Sequence, residues 1–446
     1  MSTGTERPGA IAIAVAGCVA LAVAMGIGRF AFTPILPMML HDGVVDLHAA
    51  SWLASANYLG YLSGALLCTF VPLLWSRLPG RKQIDGPALV RAGLAATGVL
   101  TLAMALPLPA AWPALRFLAG VASAMVFVFG SGWCLTQLAL RGRAALGGAM
   151  FAGPGAGIVA SGLLASALVA SGGTSALAWL VFGVLACALS ASVWRIFAVR
   201  ASEGASVVGA PAAQKQSQTQ SQSNAQSPSQ SQNAPIAATP FAPIGAPGAA
   251  VVAHPHVEVA TLALAYGISG FGYIVTATFL PVIARAALPA ESMWLDLFWP
   301  IFGAGVILGA LLATRVQVSG DLRVVVAGAY LVQAVAIAIG LALPTAAGFA
   351  LGSFLLGLPF TAITYFALQE VRRLRPHQIA ATTGLLTALW SVGQTAGPPM
   401  VAVLLRRTTN VGAAFTLSLA IAAGALAVGA VVFLVSSRLW PKSSPG

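Results

Sequence analysis

Few residues in this chain could do chemistry, and most of them lie in apolar surroundings. Arg29 stands in Gly26-Ile27-Gly28-Arg29-Phe30-Ala31-Phe32-Thr33-Pro34-Ile35-Leu36-Pro37-Met38, inside an apolar run from Ala10 to Leu40. A cation at the centre of a bilayer costs at least ~2.5 kcal/mol, and less if it can snorkel. Polar and helix-breaking residues persist at that depth mainly where they line a cavity or pack against protein. As a straight helix the run would be about 46 Å long against a hydrocarbon core of about 30 Å, so Arg29 falls between just past the centre and the outer third. Two readings stand. Arg29 attracts an anionic or polar solute from a cavity wall, with Thr33 one turn on and on the same face, or it anchors the helix at its outer edge. Arg116 lies near the outer end of a second apolar run, where snorkelling would also serve it.

Acidic residues are scarcer still. Asp296 is the only one within the body of an apolar segment, while Glu258, Glu370, Asp42 and Asp46 lie at segment ends. A proton carrier must titrate, and burial raises a carboxyl pKa towards neutrality, so Asp296 is the candidate proton site. The competing reading is a helix-start residue stabilised by the N-terminal dipole. The four cysteines each sit singly in an apolar run, and the five histidines lie at run ends or in connections. No spacing suggests a metal site, a disulfide framework or a nucleophile with its base, so no catalytic residue, metal or cofactor is expected. No phosphate-binding Gly-x-x-x-x-Gly-Lys stretch is present, which argues against ATP as an energy source within this chain.

The elements that must position these residues follow from composition. Of 446 residues, 58% are hydrophobic and 7% charged, with a mean hydropathy of +0.90. Soluble domains run near a quarter charged, so this is an all-α membrane protein. The net charge of +12 is spread between apolar runs, which makes it a topology signal and argues against a nucleic-acid partner. The first run is too long, and its flank too weakly basic, for a secretory signal, so it is expected to be retained.

Twelve segments are long enough to cross a bilayer: roughly 10–40, 48–75, 87–106, 111–139, 145–170 and 175–199, then 257–284, 293–314, 323–343, 346–370, 378–405 and 411–437. Basic clusters at Arg77, Arg81 and Lys82, at Arg141 and Arg143, and at Arg195, Arg200 and Lys215 alternate with connections lacking them. Arg315 and Arg323, then Arg372, Arg373 and Arg375, then Arg438 and Lys442 continue the pattern. These connections are expected to be cytoplasmic, with both termini inside; Arg285 and the pair Arg406 and Arg407 fall on the opposite side. Between the halves, residues 201–256 turn to Ser/Gln repeats and then a Pro/Ala-rich piece, a composition expected of a disordered cytoplasmic linker. The domains are then a bundle over 1–200, the linker, and a second bundle over 257–446.

The two halves repeat. Gly60-Tyr61-Leu62-Ser63-Gly64-Ala65-Leu66-Leu67 matches Gly305-Val306-Ile307-Leu308-Gly309-Ala310-Leu311-Leu312 at an offset of 245. Leu36-Pro37 matches Leu280-Pro281, and Gly153-Pro154 matches Gly397-Pro398, both at 244. Phe117-Leu118-Ala119-Gly120 matches Phe354-Leu355-Leu356-Gly357 at 237. Four matches in one order at near-constant offset imply two homologous six-helix halves around an axis along the membrane normal, with a ligand site between them near the midplane. The paired glycines let helix backbones approach closely. Pro34, Pro37, Pro154, Pro281 and Pro398, with Gly153 and Gly397, interrupt helices that would have to bend during gating. The partner of Arg29 at this offset is Tyr273, so the charge belongs to one half alone.

The six-plus-six plan with a long central loop resembles the major facilitator superfamily. Gly26 to Phe30, Thr33-Pro34 and Leu36-Pro37, with Gly270-Phe271-Gly272-Tyr273 and Thr278-Phe279-Leu280-Pro281, resemble its bacterial YbfB/YjiJ-type branch. Arg77-Leu78-Pro79-Gly80-Arg81-Lys82 resembles the tail of the superfamily's cytoplasmic loop motif, without its usual acidic residue. Arg116 to Gly120 resembles the Arg-x-x-x-Gly motif linked to proton coupling, and Gly153-Pro154-Gly155-Ala156-Gly157 the Gly-Pro motif of antiporters. The resemblance implies that spans one, two, seven, ten and eleven line a cavity, which makes Arg29, Thr33, Asn57, Tyr266, Tyr273, Thr361, Tyr365, Trp390 and Gln394 candidate solute contacts. The bland alternative for these is interhelical hydrogen bonding, typically about 0.6 kcal/mol each, or aromatic-belt placement. The expectation is a secondary transporter of the bacterial cytoplasmic membrane, functional as a monomer in the lipid bilayer. It would move a small organic solute by rocking of two bundles, coupled to a proton or other ion gradient, with efflux favoured over uptake. A non-transporting sensor or scaffold on the same fold is the alternative.

Overall fold

The computed structural model describes residues 8–75, 85–143, 146–198, 255–292, 294–315, 320–374, 379–408 and 410–441. The linker core, the Arg77 to Lys82 loop motif, and Arg200, Lys215, Arg375 and Lys442 lie outside the described residues. Every regular element among the described residues is helical. With no water at membrane depth, a helix satisfies its own backbone, and a run of apolar side chains can then face lipid.

The first half runs as α1 (Ala10–His41), α2 (Leu47–Trp75), α3 (Gly86–Ala103), α4 (Trp112–Leu140), α5 (Leu146–Ala170) and α6 (Ser175–Val193). The second half runs as α7 (Pro255–Ala287), α8 (Phe298–Ala313), α9 (Leu322–Ala342), α10 (Ala346–Gly357, resumed as Phe360–Leu374), α11 (Ile379–Arg407) and α12 (Val411–Leu439). Nine of these are long and apolar enough to cross a membrane by length and composition, and α8 is a shorter apolar helix. Polar residues in the connections set the helix starts. Asp85 accepts from Ala88 N at 3.1 Å and Thr345 from Gly348 N at 3.1 Å, each satisfying one of the orphan amides of a first turn.

Small residues fix how the helices meet within each half. A Cβ added at Gly60 or Gly64 would run into the backbone of Phe117 or Val121 on α4, and one at Gly305 or Gly309 into Phe354 or Leu358 on α10. The repeated G-x-x-x-G is therefore the α2–α4 contact in one half and the α8–α10 contact in the other. Between the halves, α2 packs along α11, α5 packs along α8, and the second part of α1 meets α7.

Two helices carry π-helical turns. α1 opens into a π-helical turn over Ala22–Ile27 and a turn at Gly28 to Ala31 before it resumes at Phe32; α4 carries a second π-helical turn at Val126–Gly130. Such turns widen the hydrogen-bond ladder and are frequent at functional sites. Pro281 and Pro398 lie inside continuous helices, whereas Gly153 and Pro154 start one, following a 3₁₀ turn at Met150–Ala152.

Charges tie the helix ends. Asp42, just beyond α1, accepts from Ser175 N at 2.6 Å at the start of α6. Arg285 near the end of α7 pairs with Asp296. Asp296 is thus not in the body of a span: α8 begins only at Phe298, and the apolar Trp294, Leu295 and Leu297 around the aspartate belong to the turn that leads into it. Among the described residues the buried acids are instead Glu258 and Glu370. Arg323, fully buried, donates to Glu258 at 2.8 Å, to Asp321 at 2.8 Å, and to the carbonyls of Ser436 and Trp440, which binds α7, α9 and α12 at one end of the second half. Arg373 adds a 2.6 Å pair with Glu370. Removing one partner of a buried ion pair leaves the other charge stranded, at a cost of about 3–5 kcal/mol. Arg323→Ala is expected to lower the unfolding free energy in detergent by an amount of that order, and Arg285→Ala, at a partly exposed pair, to cost about 1 kcal/mol or less; equal effects would refute this ranking.

Candidate functional site

The break in α1 creates the site. A π-helical turn followed by a non-helical turn leaves main-chain carbonyls without their usual partners, and an unpaired carbonyl in a dry core costs a hydrogen bond or more. Side chains from α4 fill the deficit. Ser123 donates to Ala24 O at 2.6 Å, and Arg116 donates through Nη1 to Gly28 O at 3.3 Å and through Nη2 to Arg29 O at 3.1 Å. The Arg116 guanidinium also lies 4.8 Å from the Phe32 ring. Arg116 therefore does not snorkel; it is 1% exposed and serves as the internal cap of a broken helix. Asn57 supports it from α2, donating to Arg116 O at 2.9 Å, which turns this candidate towards α4.

Held in this way, the Arg29 side chain projects between the halves. Its guanidinium carbon lies 3.9 Å from the Tyr61 ring centroid and 5.3 Å from those of Tyr58 and Phe30. Nη2 donates to Gln394 Oε1 at 2.5 Å, and Gln394 in turn donates to the Tyr273 hydroxyl. Tyr273 stacks on Trp390 at 5.6 Å and Trp390 on Tyr266 at 6.1 Å, with Phe360 edge-on to Tyr273. Among the described residues no carboxylate pairs with Arg29 or Arg116, and the Nε of each is buried without a partner. The arrangement can bind an anion or a hydrogen-bond acceptor.

The same region is the meeting line of the halves. Thr33 donates to Ala277 O at 2.8 Å, and these residues are 244 apart, the offset of the internal repeat. A residue that touches its own repeat partner must lie beside the pseudo-two-fold axis. Arg29 and Tyr273 are a second such pair, joined through Gln394. Tyr58 and Thr278 share a 2.9 Å hydrogen bond, and Ser55 donates to Thr395 O at 3.4 Å.

Of the candidate contacts, the structure gathers Arg29, Thr33, Tyr266, Tyr273, Trp390 and Gln394 around this line. Asn57 supports α4. Tyr365 is 37% exposed, its ring beside Phe366, and Thr361 is half-buried with its hydroxyl unpartnered; the residues of α10 that reach the stack are Phe360 and Thr364, the latter accepting from the Tyr266 hydroxyl at 2.9 Å. Tyr58, Tyr61 and Phe360 were not among the candidates. The signal for the first two lay in the sequence: Ser55, Tyr58 and Tyr61 follow at i, i+3 and i+6 on α2. Among the described residues no group of His, Cys, Asp and Glu could hold a metal ion.

The family described as "Uncharacterised MFS-type transporter YbfB" matches residues 21–226 and 234–434. No curated protein matches the chain. The chain is similar in structure to the nucleoside transporter NupG, with a TM-score of 0.61 at 12% identity over 96% of this chain and 99% of that one. A single-substitution mutant of NupG gives 0.61 at 13% identity over 95% and 99%.

The role of Arg116 as an internal cap has a measurable consequence. Arg116→Met is expected to cost about 2–4 kcal/mol, since two main-chain carbonyls lose charge-assisted bonds of about 1.5–3 kcal/mol each and part of the charge burial is relieved. Amide hydrogen exchange should rise locally over residues 26–33; exchange unchanged there, with a melting point like that of the wild type, would contradict the capping role.

Proposed function

The chain belongs to the MFS-type transporter family of the YbfB branch, and from that premise we propose that it moves a small organic solute across the bacterial cytoplasmic membrane by alternating access of two six-helix bundles. It is a membrane transporter by family and is not an enzyme. The finer reading has twelve spans with both termini cytoplasmic, bundles over 1–200 and 257–446 tethered by the 201–256 linker, and a monomer as the working unit. The solute site is the line where Arg29, Gln394, Tyr273, Trp390 and Tyr266 meet. The likeness to NupG is one of fold alone and brings no nucleoside specificity.

One observation carries the reading: the hydrogen bonds between the halves cluster at the pseudo-two-fold axis. Thr33 to Ala277, Tyr58 to Thr278 and Arg29 to Gln394 all cross it within one stretch of α1, α2, α7 and α11. Rocking of two bundles about a central site has to make and break contacts of this kind.

For coupling to a proton gradient, Asp296 is poorly suited because Arg285 holds it outside the helix. Glu258 and Glu370 fit better. With Asp321 they set three carboxylates against Arg323 and Arg373, at an end of the bundle that the proposed topology makes cytoplasmic. Arg116 contributes by holding the α1 break, with Pro34, Pro37, Pro281, Gly397 and Pro398 on the helices that must flex and Gly153 and Pro154 at the hinge that opens α5. Efflux remains the favoured direction.

The test locks the seam. A Cβ built at Gly384 on α11 lies 4.0 Å from Thr69 Cβ on α2, within the range a disulfide spans. In a background lacking the four native cysteines, Thr69→Cys with Gly384→Cys is expected to abolish solute exchange in proteoliposomes when oxidised, and to recover it on reduction. Full exchange by quantitatively cross-linked protein would contradict alternating access.

A further inference from the structure

We infer that the solute is a monocarboxylate with a planar, largely apolar body, and that Gln394 is a built-in stand-in for its carboxylate. This rests on the central site proposed above and specifies what that site takes.

Consider first the charge. Arg29 is 1% exposed, and a guanidinium is a permanent cation whose planar fork matches a carboxylate with two parallel hydrogen bonds. A buried cation is normally paired. Here the side chain has one close acceptor, the neutral amide oxygen of Gln394, with the Met25 sulfur at 4.0 Å as a second, and an Nε with none. The faces of Tyr58, Tyr61 and Phe30 offset part of the charge without supplying an anion. The position opposite Arg29 therefore holds a weak ligand where a strong one fits. The neighbouring cation does not compete for a second charge, because Arg116 is occupied by Gly28 O and Arg29 O. One buried guanidinium with neither an anion nor a main-chain carbonyl as its partner implies one carboxylate.

The body of the ligand follows from what surrounds Gln394. Its amide nitrogen is on the Tyr273 hydroxyl, and Tyr273 is the first member of a near-parallel stack with Trp390 and Tyr266, at interplanar angles of 15° and 21°. A group that displaces the Gln394 amide from Arg29 must lay its remaining atoms against that stack, with Phe360 at the edge. Planar rings suit such surroundings. Displacement also cuts the Arg29–Gln394 bridge between α1 and α11, so that occupancy of the site and release of one contact between the halves become a single event.

Exchange of a charged for a neutral partner at the guanidinium is worth about tenfold or more in affinity. With purified full-length protein in detergent, phenylacetate and indole-3-acetate are expected to raise the melting temperature and to change tryptophan fluorescence. Phenylacetamide, the neutral isostere, should bind at least about tenfold more weakly, and benzylamine not at all. Gln394→Glu places a carboxylate on Arg29 permanently; the variant is expected to melt higher than the wild type and to lose the response to phenylacetate. Gln394→Ala should bind phenylacetate about tenfold more tightly. Equal affinity for acid and amide, a full phenylacetate response in Gln394→Glu, or no stabilisation by either carboxylate would each overturn the inference. Carboxylate binding by a protein that moves no solute in proteoliposomes would leave this assignment standing and remove the transport reading instead.

Discussion

A permanent cation in the dry seam between two helical bundles is the constraint on which the rest depends. Arg29 lies within the break of α1, in the turn between its two helical parts. The break is tolerable only because Arg116 and Ser123 repair the carbonyls it frees. Those two side chains reach α1 because Gly60 and Gly120 let α2 and α4 approach to backbone contact, which sets the depth of α4 in the bundle. On the far side, Gln394 and the aromatic stack face Arg29 because α7 and α11 pack as closely through Gly270 and Gly393. Each link is a polar group satisfied inside hydrocarbon, where the alternative is a cost of several kcal/mol.

The internal repeat accounts for where the proposed site lies, and its imperfection gives that place two unlike walls. Thr33 against Ala277 O marks the axis. Along it, repeat partners meet, and in a perfect repeat they would be alike. Arg29 facing Tyr273 through Gln394 is the departure from symmetry: one half brings a charge, the other an amide and a stack of rings. Among the described residues the ion-pair network of Arg323 with Glu258, Asp321 and Glu370 lies in the second half. Its counterpart in the first half falls near the Arg77 to Lys82 loop, which lies outside the described residues.

Much of this was legible in the sequence, and the reason is that membrane helices declare themselves by length and composition while a repeat declares the axis. The G-x-x-x-G pairs and the asymmetry at Arg29 follow from the repeat, whereas Tyr273, Trp390 and Gln394 enter as candidate contacts through the family resemblance, and only the tertiary fold sets them around Arg29. What failed to show was reach. Arg116 is one residue in a helix, and nothing local reveals that its seven-atom side chain spans to carbonyls freed by a π-turn in another helix. Asn57 shares a turn with Tyr61 but points to α4. Asp296 was misplaced because Trp294, Leu295 and Leu297 make a turn look like the first turn of a span. The buried role of Glu258 and Glu370 was hidden for the converse reason: they sit at helix ends, where acids are usually solvated, and only the tertiary fold closes Arg323 over Glu258 with Glu370 at its side.

The Arg29 to Gln394 bridge joins the halves across the seam. Spin labels at Val44 and Ala290, in the exposed connections that follow α1 and α7, report the separation of the halves directly by pulsed electron–electron resonance. The expected result without solute is one narrow, short distance in the wild-type background and a second, longer population in Arg29→Leu. Indistinguishable distance distributions for the two proteins would contradict the account.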